Sequence, residues 1–259
     1  MEESWNEKKE IKAFLEEKVQ QYESFDFIEV DPILIPHQFS QKEDIEISGF
    51  LAATIAWGNR KSIINNAQKM MDLMDSAPYD FIINHKENDL ERFKGFVHRT
   101  FNADDLRYFI KALRCIYQEH QGLEQLFSRY AKPQSLQGAI HHLKQVFFSL
   151  PHQQRTQKHV SDPLKGSAAK RLNMYLRWMV RSNKNGVDFG LWKTLHPRQL
   201  SCPLDVHSGN VARKLKLLKR KQNDGKALAE LDKVLRKMDP EDPVKFDYAL
   251  FGLGVFEKF

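Results

Sequence analysis

Apolar residues recur at three- and four-residue spacing along most of the chain, which is the pattern of amphipathic helices. The first such segment, residues 8–20, places Ile11, Phe14, Leu15 and Val19 on one face. Further segments with this spacing are 43–57, 60–75, 104–119, 135–149, 168–181, 207–218, 225–238 and 244–253. The pattern predicts an all-α protein of roughly ten helices.

Alternating β-branched runs, which are typical of strands, are scarce in the sequence. The strand-like segment FIEVDPILIP, residues 27–36, contains Pro32 and Pro36, and these favour an extended loop. Prolines, glycines and polar residues mark further connections at 151–166, 182–190 and 238–245.

These breaks predict two lobes that the chain crosses more than once. We expect residues 1–40, a helix and an extended segment, to pack on the C-terminal lobe. Residues 41–160 then form one helical lobe, and residues 161–259 form the C-terminal lobe.

The composition fits a protein without a membrane span. With 41% hydrophobic and 29% charged residues, 259 residues can form one large core or two small ones. The chain has no run of 18 apolar residues, and its acidic, amphipathic N-terminus has no apolar signal core. Cys115 and Cys202 stand far apart and match no CxxC pattern. We therefore expect a reduced, cytoplasmic protein.

Positive charge is concentrated in one part of the chain. The formal net charge is +6, but between Lys165 and Lys221 only Asp188 and Asp205 oppose the basic residues. Those basic residues are Lys165, Lys170, Arg171, Arg177, Arg181, Lys184, Lys193, Arg198, Arg213, Lys214, Lys216, Lys219, Arg220 and Lys221. This asymmetry favours a polyanionic partner, most simply nucleic acid.

Two short segments carry candidate chemistry. In LKGSAAKRLNMYLRW (164–178), Gly166 permits a tight turn before a helix whose free N–H groups can bind phosphate. Lys170 falls in the first turn of that helix. It is a candidate for chemistry, and the simple alternative is that it is a solvated surface lysine. In CPLDVHSGNVARKL (202–215), Asp205 stands at a helix start, where an N-cap is the default role. His207 has no second ligand at metal spacing, so no metal site is predicted there.

Together the two segments resemble the signature of the helix-hairpin-helix DNA glycosylase superfamily, which includes endonuclease III and the 8-oxoguanine glycosylases. Leu164, Gly166 and Lys170 match the hairpin, with Ala168 in place of its second glycine. Pro203–His207 matches the motif that opens the next helix. The resemblance covers about residues 43–256 and implies a two-lobed helical fold with a cleft between the lobes.

The resemblance weakens away from these two motifs. EISGFLAATIAWGNRKSIINNAQKMM (46–71) looks like the family's early helix pair, whose joining turn enters the DNA, and GFVHRTF (95–101) is a loose match to another family segment. The chain lacks the iron–sulfur loop of endonuclease III, and the gap between the motifs is longer, as in archaeal 8-oxoguanine glycosylases. A bacterial family of hypothetical proteins within this superfamily would also fit.

The resemblance implies a base-excision enzyme with lyase activity. Lys170 would attack C1′ of the flipped nucleotide and form a Schiff base, and Asp205 would stabilise the cationic sugar. An 8-oxoguanine base is favoured, because Asp247 and Phe251 match an acid–aromatic pair that lines the base pocket of the archaeal enzymes. Trp57 could stack or act as a wedge. Equally open is that Phe251 and Trp57 are core residues and Asp247 a solvated acid.

The remaining expectations concern contacts and partners. His207 would order the helix start behind Asp205 and support substrate binding. The expected partner of a monomeric, nucleoid-associated protein is damaged double-stranded DNA, with no cofactor and no metal. The expected DNA contacts are Asn59, Arg60, Gly166, Ser167, Ala168, Arg171 and Arg213.

Two alternatives stay open at this point. One is a catalytically silent DNA-binding protein that keeps the hairpin for phosphate contact. The other is a helical scaffold whose basic face binds RNA or an acidic protein. The silent protein would bind duplex in a salt-dependent way without releasing a base, and the scaffold would show no preference for damaged DNA.

Overall fold

The computed structural model describes residues 2–259, with side chains described from residue 9 onward. The described part is predominantly helical, which confirms the predicted all-α class. Its helices are α1 (Glu2–Tyr22), α2 (Phe25–Glu29), α3 (Lys42–Thr54), α4 (Arg60–Asp72), α5 (Pro78–Asn84), α6 (Ala103–Glu119), α7 (Gly122–Arg129), α8 (Gln137–Phe147), α9 (Lys170–Val180), α10 (Val206–Lys214), α11 (Gly225–Met238) and α12 (Phe246–Val255). Strands β1 (Val97–His98) and β2 (Phe101–Asn102) form a two-stranded antiparallel sheet.

The segment FIEVDPILIP is helical rather than an extended loop, so that prediction was wrong. Its first residues belong to α2, and 3-10 turns follow at Pro32–Leu34 and Pro36–Gln38. Each proline stands at the first position of its turn, where a missing N–H costs nothing and the fixed φ suits a helix. The Asp31 carboxylate accepts a hydrogen bond from the Ile33 N–H at 3.1 Å and starts the first turn.

The chain divides into two compact units. Unit 1 consists of the residues up to Phe27, Pro133–Gln137 and Pro163–Phe259. Unit 2 consists of Ile28–Lys132 and Gly138–Asp162. The chain therefore passes between the units several times, and the first boundary falls after Phe27 rather than at residue 40.

Unit 1 is built around α12, which packs against both α1 and α10. Its core contains buried leucines, valines and Phe246 from α1, α10, α11 and α12. Close approach of α10 to α12 depends on Gly254, because a Cβ there would lie 3.0 Å from the His207 Cβ and 3.1 Å from the His207 carbonyl oxygen. The last helix thus fixes the position of the first turn of α10.

A buried ionic network lies at the end of α9 in unit 1. Arg181 donates hydrogen bonds to Glu23, Asp188 and Asp242 at distances between 2.6 and 3.4 Å. Arg177 lies within 3.4 Å of Asp188. Both arginines were counted in the basic segment that suggested a polyanionic partner, but both are buried. Their charges therefore hold unit 1 together and add nothing to its surface.

Unit 2 has an aromatic core. Phe109 packs edge-on against Phe101 and Phe147, with ring centroids 5.2 and 4.6 Å apart, and Phe50 lies against Phe109 and Phe147. These side chains come from α3, β2, α6 and α8, so the core joins segments distant in sequence. In the part of the chain that is described, none of the helices has the length and apolarity that a bilayer crossing requires.

Candidate functional site

The hairpin before α9 presents Lys170 at the first position of the helix. A 3-10 turn at Pro163–Lys165 leads to Gly166, whose φ is +88°, and Ala169 also adopts a left-handed conformation with φ +44°. The N-cap residue Ala169 makes no side-chain cap hydrogen bond. The N-terminus of a helix carries N–H groups and a positive dipole end, which suit the binding of anions.

Asp205 uses its two carboxylate oxygens differently. The Oδ1 atom accepts a hydrogen bond from the Ser208 N–H at 2.9 Å and from the Ser208 hydroxyl at 3.2 Å, which caps α10. The Oδ2 atom lies 3.8 Å from Lys170 Nζ. The structure therefore contains the cap expected at Asp205 and brings the same carboxylate to the Lys170 amine.

The Lys170–Asp205 pair remains open to solvent. The two side chains are 29% and 18% exposed, so a ligand can reach both. Ion pairs with this exposure contribute about 0–1 kcal/mol to stability. Folding thus gains little from the pair, whereas the buried ion pairs of Arg181 are integral to the core of unit 1.

A loop at residues 219–224 contacts the backbone next to both members of this pair. The Asn223 side-chain amide donates to the Asp205 carbonyl oxygen at 2.7 Å. The next residues attach to the hairpin: the Gly225 N–H donates to the Gly166 carbonyl oxygen at 2.8 Å, and Asp224 forms a β-bridge with Ser167. One short loop therefore contacts the backbone that precedes Lys170 and the residue that carries the carboxylate.

Arg213 holds this loop in place. Its guanidinium donates to the carbonyl oxygens of Arg220 and Gln222 and to the Asn223 side-chain oxygen, at 2.8, 3.2 and 2.6 Å. Gly209 makes room for it, since a Cβ there would lie 2.7 Å from the Asn223 oxygen. The expected DNA contact of Arg213 is untested, and the structure gives this residue a bracing role that sequence reasoning missed.

Asp247 is buried close to the pair and is not a solvated acid. It is 4% exposed, forms an ion pair with Arg177 and accepts a weak hydrogen bond from the Cys202 thiol at 3.6 Å. Burial raises the pKa of Asp247 to about 6; the neighbouring Asp205 charge also raises it, while Arg177 and Lys170 lower it. Contact of this carboxyl with a base edge stays a prediction.

Phe251 and His207 lie beside each other near the start of α10. Their ring centroids are 6.2 Å apart with the planes nearly perpendicular. Phe251 is half-buried against the edge of Phe27, whereas His207 is exposed. Phe251 is thus neither a core residue nor free surface, and it flanks the first turn that Asp205 caps.

The other predicted hairpin contacts differ in exposure. Gly166 is exposed, Ser167 is half-buried, and the Ala168 side chain lies in the core of unit 1. Ala168 can therefore reach a ligand only through its backbone. Arg171 is half-buried, and burial lowers the pKa of its guanidinium to about 10, which leaves it charged at neutral pH.

Trp57, Asn59 and Arg60 belong to unit 2. Asn59 is exposed and caps α4 by accepting a hydrogen bond from the Ser62 N–H at 3.1 Å. Arg60 follows as the first residue of that helix and is half-buried. The half-buried Trp57 ring meets His98 edge-on at 5.1 Å and stacks on the His159 ring at 5.9 Å.

His98 fixes the turn that carries Trp57. One ring nitrogen lies 3.2 Å from the Trp57 carbonyl oxygen, and the other lies 3.2 Å from the Asn66 side-chain nitrogen. Burial lowers the pKa of His98, which favours the neutral ring. His98 therefore supports the turn from inside unit 2, a role that the sequence pattern GFVHRTF did not reveal.

The fold and the site define an all-α protein that presents an amine and a carboxylate at two helix starts. A family model described as "Protein of unknown function (DUF2400)" matches residues 31–256. Since this match spans most of the chain, the chain belongs to that family. Comparisons with curated proteins and with solved structures gave no match.

Proposed function

We propose that the protein is a DNA glycosylase with AP lyase activity, which excises an oxidised base, with 8-oxoguanine favoured, through a Schiff base on Lys170. The main support is the 3.8 Å separation of Lys170 Nζ from Asp205 Oδ2 at the start of α9 and α10. These residues come from the two motifs that resemble the helix-hairpin-helix glycosylases, and an ion pair this exposed adds little to the stability of unit 1.

The proposed reaction uses the pair in two steps. Once Lys170 has lost a proton to solvent, its amine attacks C1′ while the glycosidic bond breaks. The base leaves with the bonding electrons and takes up a proton, and the new C1′–nitrogen bond loses a proton from its nitrogen. Opening of the sugar then gives the Schiff base, from which loss of the C2′ proton expels the 3′ phosphate. The Asp205 carboxylate stabilises the positive charge on the sugar, because α10 holds its other oxygen in the cap.

The same proposal assigns roles around the pair. The N-terminus of α9 and the exposed backbone at Gly166 are suited to a DNA phosphate. The rings of Phe251 and His207, which lie beside each other near the start of α10, would contact the flipped base, and the buried Asp247 would accept a hydrogen bond from it. Trp57, Asn59 and Arg60 would contact DNA from unit 2.

A lesion panel tests the proposal directly. Purified protein is incubated with duplexes that carry 8-oxoguanine, an oxidised pyrimidine, an abasic site or no lesion, with and without borohydride. We expect base release and a borohydride-trapped complex on 8-oxoguanine and on the abasic site. Salt-dependent binding without base release or trapping on any duplex would instead identify a silent DNA-binding protein. Equal binding to damaged and intact duplex, without chemistry, would favour the scaffold.

Asp205→Asn separates the two functions of the carboxylate. Asparagine caps a helix as well as aspartate does, so the free energy of unfolding should change by less than about 1 kcal/mol. Loss of the negative charge beside the sugar should lower single-turnover base release by about 100-fold. Binding to uncleaved lesion DNA should be retained. A folded variant with unchanged turnover would leave Asp205 as a cap alone.

Asn223→Ala tests the loop that braces the pair. Removal of its hydrogen bond to Asp205 should destabilise the protein by about 1 kcal/mol and, through misplacement of the carboxylate, slow base release roughly tenfold. DNA affinity should stay unchanged, because the proposed function assigns Asn223 no contact with a DNA phosphate. Asn210→Ala is the matched control, since Asn210 is an exposed asparagine on α10. An equal loss of rate in both variants would contradict the bracing role.

A further inference from the structure

Three potential metal ligands converge at the end of α6 in unit 2. Cys115 and Glu119 lie one helical turn apart, and His120 follows at the C-terminal cap. One ligand atom from each side chain lies within 4.8 Å of the other two. The sequence pattern CIYQEH has no standard metal spacing, so no metal was expected there. This cluster is separate from Lys170 and Asp205, which belong to unit 1.

The chemistry of the three groups suits a borderline transition metal. Thiolate, imidazole and carboxylate together are ligands of Zn²⁺, whereas Ca²⁺ and Mg²⁺ take oxygen ligands. Metal–ligand bonds of about 2.0–2.3 Å put the ligand atoms of a tetrahedral site roughly 3.3–3.8 Å apart. Closing from 4.8 Å requires a shift of about 1 Å. Glu119 is exposed and the other two side chains are half-buried, so none of the three is enclosed in the core.

The His120 ring supplies a second observation. Its Nδ1 atom is shielded from solvent and makes no hydrogen bond to any described residue. A buried ring nitrogen without a partner costs stability, which a bond to a metal or to a water bound at the site would recover. The end of α6 also carries the negative end of the helix dipole, which favours a cation.

We propose that Cys115, Glu119 and His120 bind a divalent transition metal ion of the Zn²⁺ class, with water as the fourth ligand. The ion joins the last turn of α6 to its C-cap residue His120, directly before Gln121 and Gly122, which both adopt left-handed backbone conformations. It therefore stabilises unit 2. The site is independent of the proposed glycosylase activity, and its test needs no DNA.

Co²⁺ is the probe for the site, because a cobalt–thiolate bond gives a near-ultraviolet charge-transfer band that identifies sulfur ligation. Full-length protein without an affinity tag should bind Co²⁺ in equimolar amount, and Zn²⁺ should displace it. Cys115→Ser should remove the charge-transfer band, and His120→Gln should weaken binding at least tenfold. His142→Gln, a half-buried histidine on α8, should bind as the unchanged protein does.

A second measurement avoids variants altogether. Zn²⁺ should slow alkylation of Cys115 by iodoacetamide at least tenfold, as followed by mass spectrometry of the Cys115 peptide. Cys202 is fully buried in the native protein and should stay unreacted, so its alkylation would show that the protein has unfolded. Absence of Co²⁺ binding, a spectrum without the thiolate band, or alkylation of Cys115 at the same rate with and without Zn²⁺ would each overturn the proposal.

Discussion

Lys170→Gln should abolish borohydride trapping of the protein on DNA that carries 8-oxoguanine or an abasic site. Trapping needs an amine that forms a Schiff base with C1′, and an amide cannot do so. Strand cleavage should fall by a factor of about 10³ or more, because loss of a nucleophile removes the covalent route. Binding to damaged duplex should weaken far less, since the proposal assigns the phosphate contacts to the hairpin backbone. Denaturing gels of the trapped complex give the first result, and gel-shift titration gives the second.

Lys165→Gln is the matched control for this experiment. Lys165 is an exposed lysine on the same hairpin, so its loss removes the same charge five residues before the proposed nucleophile. This variant should trap at nearly the rate of the unchanged protein and show only a smaller dependence of binding on salt. If Lys170→Gln still traps, another amine is the nucleophile. If the unchanged protein never traps on any lesion, the lyase proposal itself fails.

Helix positions were predictable wherever the apolar spacing was long and regular. Helices α6 and α11 occupy the predicted segments 104–119 and 225–238 within one residue at either end. Short helices were missed, because α5 and α7 span too few turns to show a period. The segment 27–36 was misjudged, since two prolines break an α-helix but suit the first position of a 3-10 turn.

Local sequence patterns predicted Lys170 and Asp205 but not the contacts that hold them. Lys170 after the hairpin glycine and Asp205 at a helix start are signals within a few residues, and the structure brings these two side chains together. The bracing contact from Asn223 to Asp205 joins residues 18 positions apart, and nothing local in QNDG indicates it. Such contacts depend on how α10 and α11 pack, which spacing alone does not specify.

The count of charges along the sequence misplaced Arg177 and Arg181 for a similar reason. Arg177 and Arg181 read as part of a basic, exposed segment, because their acidic partners Glu23, Asp242 and Asp247 lie far away in the sequence. In the structure the two guanidinium groups are buried among these carboxylates and Asp188. Burial also raises the pKa of Asp247 to about 6, while the neighbouring Arg177 lowers it. A sequence shows the sign of each charge but not which charged side chains are buried in the folded protein.

Arg181→Met should be the most destabilising single change in unit 1 that leaves the helices unaltered. Arg181 is 5% exposed and donates to Glu23, Asp188 and Asp242, and nearby acids raise its pKa well above the ordinary value. Methionine fills much of the same space but leaves Glu23 and Asp188 buried, with no cation near Glu23. Removal of one partner from a buried ion pair costs about 3–5 kcal/mol, because the remaining charge stays out of water.

Urea denaturation monitored by tryptophan fluorescence measures this loss, since Trp178 and Trp192 are buried in unit 1. The matched control is Arg198→Met, which removes an exposed arginine whose nearest acid, Glu241, lies 3.9 Å away and is 80% exposed. That change should cost less than about 1 kcal/mol. Arg181→Lys should fall between the two, because a single ammonium group cannot reach three carboxylates. Equal stability of the Arg181→Met and Arg198→Met variants would mean that the buried network contributes nothing to the stability of unit 1.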